Sequence, residues 1–201
     1  MLFELSEKDK WNARLKDFDI LCQDIYFTPE YYSLYQENGD GNAKCFFYES
    51  KYGKVLYPFI INSINDLGYE LDEEYYDIQG AYGYNGCVYS NSSKELVDDF
   101  YNQFKKYCLK KNIVAEFSRF HPILKNHLFS KKYMNISLDR KTVLLNLDQS
   151  YEKIFKFEYN SSNRNKIRIG KKLLYSEISN DSSSLEIFKD NYLKTMNRLN
   201  S

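Results

Sequence analysis

YDIQGAYGYNGC, residues 76–87, is the most informative stretch of this 201-residue chain. Its glycines fall every third residue, at Gly80, Gly83 and Gly86, a spacing that suits neither a helix nor a central strand. The segment therefore reads as an irregular loop in which backbone can come close to a ligand. Tyr82 and Tyr84 offer flat faces and hydroxyls suited to a sugar or acyl group. Asp77 can accept hydrogen bonds from an amine or a hydroxyl. A tight loop with purely structural tyrosines fits the same residues, because the chain holds 20 tyrosines and two neighbours carry little weight.

Two further segments stand out. In RFHPIL (119–124), Pro122 favours an extended His121. Arg119 and His121 then alternate onto one side of a continuing strand. Arg119 is fit to clamp a phosphate or carboxylate, and His121 to act as a base. The structural reading is that Arg119 pairs with a buried acid and His121 caps a turn. In NRNKIRIGKK (163–172), Arg164, Arg168, Lys171 and Lys172 fall near one helical stripe. Beside a Ser/Asn-rich helix start, that stripe suits a diphosphate. A solvated helix face and an RNA contact are the alternatives, although the run lacks the interleaved aromatics of a single-strand binder.

Bulk composition narrows the class. Apolar residues make up 43% and aromatic residues 17% of the chain, enough for a packed core and against disorder. No apolar run approaches the roughly 20 residues that span a bilayer. MLFELSEKDKW lacks the basic start of a signal peptide. Cys22, Cys45, Cys87 and Cys108 are scattered without metal-like spacing, so a reduced cytoplasmic protein is expected. Formal net charge is zero but unevenly spread: residues 1–130 hold 14 basic and 20 acidic side chains, residues 131–172 hold 11 and 4. A local positive field beside an acidic body suits a phosphate-bearing ligand better than a long nucleic acid.

The periodicities predict mixed α/β architecture, a mixed sheet flanked by helices. Ser6 is expected to cap a first helix carrying Trp11, Leu15 and Phe18 on its apolar face. Thr28-Pro29 starts a second helix, and Gly39-Asp40-Gly41 ends it. Residues 43–50 and 55–64 read as two strands around a turn, with Pro58 placing the second at an edge or bulge. Ser92-Ser93 caps a helix over 94–111. A strand at 113–118 delivers Arg119 and His121 to its end. A turn or short helix at 122–130 and short strands at 133–138 and 141–147 follow. Ser150 opens a helix, interrupted at 160–162, and the basic helix runs roughly 163–173. LYSEIS (174–179) reads as a strand. Ser182–Ser184 caps a last helix with Leu185, Phe188, Tyr192 and Leu199 on one face.

Taken together and in order, Tyr76–Gly86, Arg119–Leu124 and Asn163–Lys172 resemble the FemAB-like branch of the GNAT acyltransferase superfamily. That branch includes peptidoglycan-bridge aminoacyltransferases and related acetyltransferases. KTVLLNLD (141–148) and TMNRL (195–199) add to the resemblance, which covers most of residues 25–200. It implies a first GNAT-like domain over 1–148 and the beginning of a second over 149–201. Family members continue for more than a hundred residues past this point, so the acyl-donor site is expected outside the chain. The implied activity is acyl or aminoacyl transfer to an amine of a nucleotide-sugar, polysaccharide or peptidoglycan precursor. The implied donors are acetyl-CoA or aminoacyl-tRNA, and the implied partners a UDP-sugar or lipid-linked cell-wall precursor and tRNA. Asp77 would be the catalytic base, and Tyr82, Tyr84, Arg119, His121, Arg164, Arg168 and Lys171 would bind substrate. The alternative is a non-catalytic module for an envelope precursor or a protein partner.

Overall fold

The strand Gly53–Ser63 (β3) organises the sheet because it is apolar on both faces, from Val55 to Ile61. On one side it pairs antiparallel with Asn42–Ser50 (β2), which in turn pairs with Leu2–Glu4 (β1). On its other side it pairs with Tyr76–Gln79 (β4) and with the two-residue strand Val88–Tyr89 (β5). Ile113–Phe117 (β6) runs parallel to β4 and completes a six-stranded mixed sheet. The fold is α/β. The computed structural model describes residues 1–199.

Alternating side chains of β3 divide the core in two. Leu56 and Ile60 pack with Trp11, Leu15, Phe27 and Tyr32 from Lys8–Leu15 (α1), Pro29–Asn38 (α2) and the turn between them. Val55, Tyr57, Phe59 and Ile61 pack with Leu96, Phe100 and Phe104 of Lys94–Lys110 (α3). The period-2 pattern of the strand and the 3.6 period of α3 meet on that second face. Edge-to-face ring pairs such as Tyr57–Phe104, with centroids 5.3 Å apart, fix how the rings interlock.

Local signals place the helix ends. Thr28 accepts from the Tyr31 amide at the start of α2, and Ser93 from Leu96 at the start of α3. Ser6 makes no cap. It lies in a short turn, and Glu7 precedes α1 without a side-chain bond. Trp11 and Leu15 are buried on α1 as expected, and Phe18 is buried just beyond its end. Pro58 occupies neither an edge nor a bulge. It sits in a gap on the far side of β3, between the pairing of Val55–Leu56 with β5 and that of Ile60–Ser63 with β4. Its carbonyl is taken there by the Tyr32 hydroxyl at 3.1 Å. A strand can tolerate a missing N–H where no neighbour asks for it.

The chain divides into two compact units, Met1–Thr142 and the residues from Val143 onward. The first unit ends with the short helix His127–Ser130 (α4), and the second holds Tyr151–Phe157 (α5), Ser161–Leu173 (α6) and Ser182–Leu199 (α7). Ser150 and Asn160 cap the first two of these helices. The expected strands at 133–138, 141–147 and 174–179 are absent among the described residues. Alternation makes a strand only where a partner takes its amides, and Val143, 96% exposed, has no neighbouring strand. The α7 amide of Ser184 is capped by Asp181, one residue before the expected serines. Leu185, Phe188, Tyr192 and Leu199 lie on α7 but are all exposed.

Tyr32→Phe removes the hydroxyl that serves both the Pro58 carbonyl and, at 3.3 Å, Asn85 Oδ1. Urea unfolding followed by the single tryptophan, Trp11, is expected to show a loss of about 1–2 kcal/mol from those stranded acceptors.

Candidate functional site

The Gly80–Cys87 loop leaves the end of β4 and is held by two buried asparagines. The Asn85 amide donates to the Arg119 carbonyl at 2.7 Å, making an isolated parallel bridge with Phe120. Asn126 completes the connection. Its Nδ2 donates to the carbonyls of Asn85 (2.9 Å) and Cys87 (3.3 Å), and its Oδ1 accepts from the His121 amide (2.9 Å). Both asparagines are almost wholly buried, where each such bond matters most. The Asn85 Nδ2 has no partner.

Two glycines make this approach possible. Gly86 has φ +102°, and a Cβ there would lie 2.7 Å from Asn126 Nδ2 and 2.8 Å from the Phe120 ring. Gly83 has φ +107°, and a Cβ there would strike the Tyr26 ring at 2.3 Å. The loop also leans on α2, where the Tyr31 hydroxyl donates to the Tyr82 carbonyl at 2.6 Å. Burial pushes the Tyr31 hydroxyl well above its ordinary pKa, so it stays a donor.

The two loop tyrosines have different roles. Tyr84 is packed edge-on against Tyr26 and tilted against His121. Tyr82 is 73% exposed, and the Arg119 guanidinium lies 5.6 Å over its ring. Tyr82 and Arg119, but not Tyr84, line a cleft of about 480 Å³ shared with Tyr35, Asn38, Asp40 and Gln79. The polar members come from the α2 C-terminus and the end of β4. Sequence reasoning missed Asp40 and Asn38, because GDG at 39–41 was legible only as a helix stop.

Asp77 stands apart from this cleft. It lines a second one, of about 540 Å³, with Asn62, Ser63, Asp66 and Glu74. Side chains alternate along β4, so Asp77 and Gln79 share a face, yet only Gln79 borders both clefts. Asp77 Oδ1 and Ser63 Oγ are buried without hydrogen-bond partners.

His121 takes the structural role. It is buried, and its Nδ1 accepts from the amides of Ile123 and Leu124, each at 3.3 Å, closing the proline turn. Nε2 faces Asp24 at 3.5 Å. Burial lowers the imidazole pKa, and Asp24 opposes that only in part. The expected pairing of Arg119 with a buried acid does not occur, since Arg119 stacks on Tyr82 instead.

In the second unit, Arg164 turns inward and donates to the carbonyls of Lys156 (3.1 Å) and Tyr159. Arg168 lies over Phe155 and Lys171 over Tyr151. These three stripe cations thus brace α6 on α5. Among the described residues no cluster of His, Cys, Asp and Glu could hold a metal ion, and no helix is long and apolar enough to cross a membrane. Comparison with protein-family models, curated proteins and solved structures finds no match for this chain.

Asn126→Ala strands one amide and two carbonyls, and is expected to cost roughly 3 kcal/mol in chemical unfolding. Burial of His121 makes stability depend on pH. A depressed folded pKa gives stability that is present above the unfolded value near 6.5 and lost as pH falls through the folded value. Urea midpoints measured from pH 8 down to pH 5 should show that acid limb, and His121→Asn should remove it.

Proposed function

We propose that this chain carries the acceptor-binding part of an acyltransferase that modifies an amine of a sugar-containing envelope precursor. One observation carries the reading: the asparagine-held loop sets Tyr82 and Arg119 beside Asn38, Asp40 and Gln79 in a single cleft. A flat aromatic face with amide and carboxylate groups around it matches the alternating apolar faces and hydroxyl edges of a sugar ring. Arg119 adds a bidentate donor for a phosphate or carboxylate substituent. The order of the three sequence segments supports the acyl-transfer part of the proposal.

In this scheme the acceptor amine attacks the carbonyl of a thioester or aminoacyl ester. A C–N bond forms, the C–S or C–O bond breaks, and the amine loses a proton. Alignment of the two reactants supplies most of the acceleration, and no covalent enzyme intermediate is formed. Asp40 is the carboxylate that lines the Tyr82–Arg119 cleft, so it replaces Asp77 as the group proposed to receive the proton. The α6 cations do not fit a diphosphate clamp as they stand, because Arg164 is committed to its own unit's carbonyls. A cleft that binds the sugar and transfers nothing is the second reading, a non-catalytic binding module.

Isothermal titration of UDP-N-acetylglucosamine against the chain tests the cleft. Arg119→Ala and Tyr82→Ala are each expected to weaken binding tenfold or more at unchanged Tm. Transfer is tested by incubating the native gene product with amino-sugar and peptide amines and either donor. Sugar binding without any transfer would leave the binding module, and absence of both would overturn the proposal.

A further inference from the structure

The cleft beside Tyr82 holds one carboxylate and one guanidinium that do not meet. Asp40 and Arg119 both line it. Asp40 Oδ2 accepts from the Asn38 amide at 3.0 Å, and Arg119 lies over the Tyr82 ring. Among the described residues neither forms an ion pair. Both side chains are exposed, so each is open to a ligand.

Hydrogen-bond arithmetic fixes what the α2 side of this cleft can offer. The Tyr31 hydroxyl has a single proton, and it goes to the Tyr82 carbonyl at 2.6 Å, which can only accept. In the Tyr31–Tyr35 contact at 3.1 Å, Tyr35 must therefore be the donor. That uses the Tyr35 proton, so the Tyr35 oxygen has only lone pairs left for the cleft that Tyr35 lines. An ionised carboxylate such as that of Asp40 likewise only accepts. Tyr35 and Asp40 thus make an acceptor wall at the C-terminal end of α2, where the helix dipole also favours a positive group.

The opposite polarity comes from the end of β6. Arg119 has only donors and is the one cation lining the cleft. Across Gln79, the second cleft is lined by Asp66, Glu74 and Asp77 and by no Lys, Arg or His. An anionic group of a ligand therefore has one favourable place, at Arg119, and a cationic group has the other, at the α2 wall.

We propose that this cleft selects a free amino sugar over its N-acyl form: the ligand's ammonium donates to Tyr35 Oη and Asp40, and its phosphate or carboxylate pairs with Arg119. The inference rests on the acceptor-binding reading above and names which sugars that site takes. An ammonium brings three donors and a positive charge to the acceptor wall. An N-acyl group brings one N–H, no charge, and a carbonyl that would face lone pairs. A hydroxyl in the same place brings one donor and no charge.

Isothermal titration of the full chain with UDP-glucosamine, UDP-N-acetylglucosamine and UDP-glucose tests this, slightly below neutral pH, where the amine is charged and carboxylates are ionised. UDP-glucosamine is expected to bind about tenfold or more tightly than either of the others, the margin of one charge-assisted hydrogen bond. Tyr35→Phe and Asp40→Asn should each cut that ratio to about threefold or less. The ratio within one variant is the readout, because a loosened loop would weaken all three ligands together. Arg119→Ala should do just that and leave the ratio in place. Equal affinities in the wild-type chain would overturn the inference while the sugar-binding reading stands. A preference that both Tyr35→Phe and Asp40→Asn keep would also overturn it, and no binding of any of the three would overturn both.

Discussion

The amide of Asn126 is the joint on which the cleft depends. One side chain satisfies a donor and two acceptors from segments about forty residues apart, and it does so out of reach of water. An irregular loop exposes backbone groups that no sheet or helix serves. Without Asn126 the Gly80–Cys87 segment would have to find those partners in solvent, and Tyr82 would lose its fixed place beneath Arg119. The glycines, the Tyr31 hydroxyl and the proline turn closed by His121 all act on the same connection. Three of them allow or hold the backbone approach, and the cleft is what results.

This arrangement separates residues that look equivalent as letters. His121 has the composition of a base and the environment of a turn cap, since both amides of the turn point at its Nδ1. Tyr84 serves packing and Tyr82 faces solvent, though only one residue stands between them.

The second unit shows the limit of local pattern. Residues 141–147 alternate as a strand should, and α7 carries an apolar stripe, yet neither is buried. Alternation reports what a segment can pair with, and pairing needs a neighbour that supplies the other half of each hydrogen bond. The basic stripe of α6 is present as its spacing requires. Its cations lie over Phe155 and Tyr151 and bond the carbonyls of Lys156 and Tyr159, all partners within the same unit.

By itself the sequence determined the class of fold and most helix starts. Caps such as Thr28 and Ser93 act within one turn, and the apolar period of α3 and the run in β3 each specify a face without reference to anything distant. It also determined that residues 80–87 form a loop, because three spaced glycines exclude the alternatives. Only the tertiary structure decided which polar residues share a cleft. Asp40 joins Tyr82 and Arg119 because the C-terminus of α2 packs beside the end of β4, while Asp77, three residues from Gly80, faces another cleft. The roles of Asn85 and Asn126 are likewise products of long-range packing. Their chemistry comes from burial and from partners tens of residues away, and neither is written in local spacing.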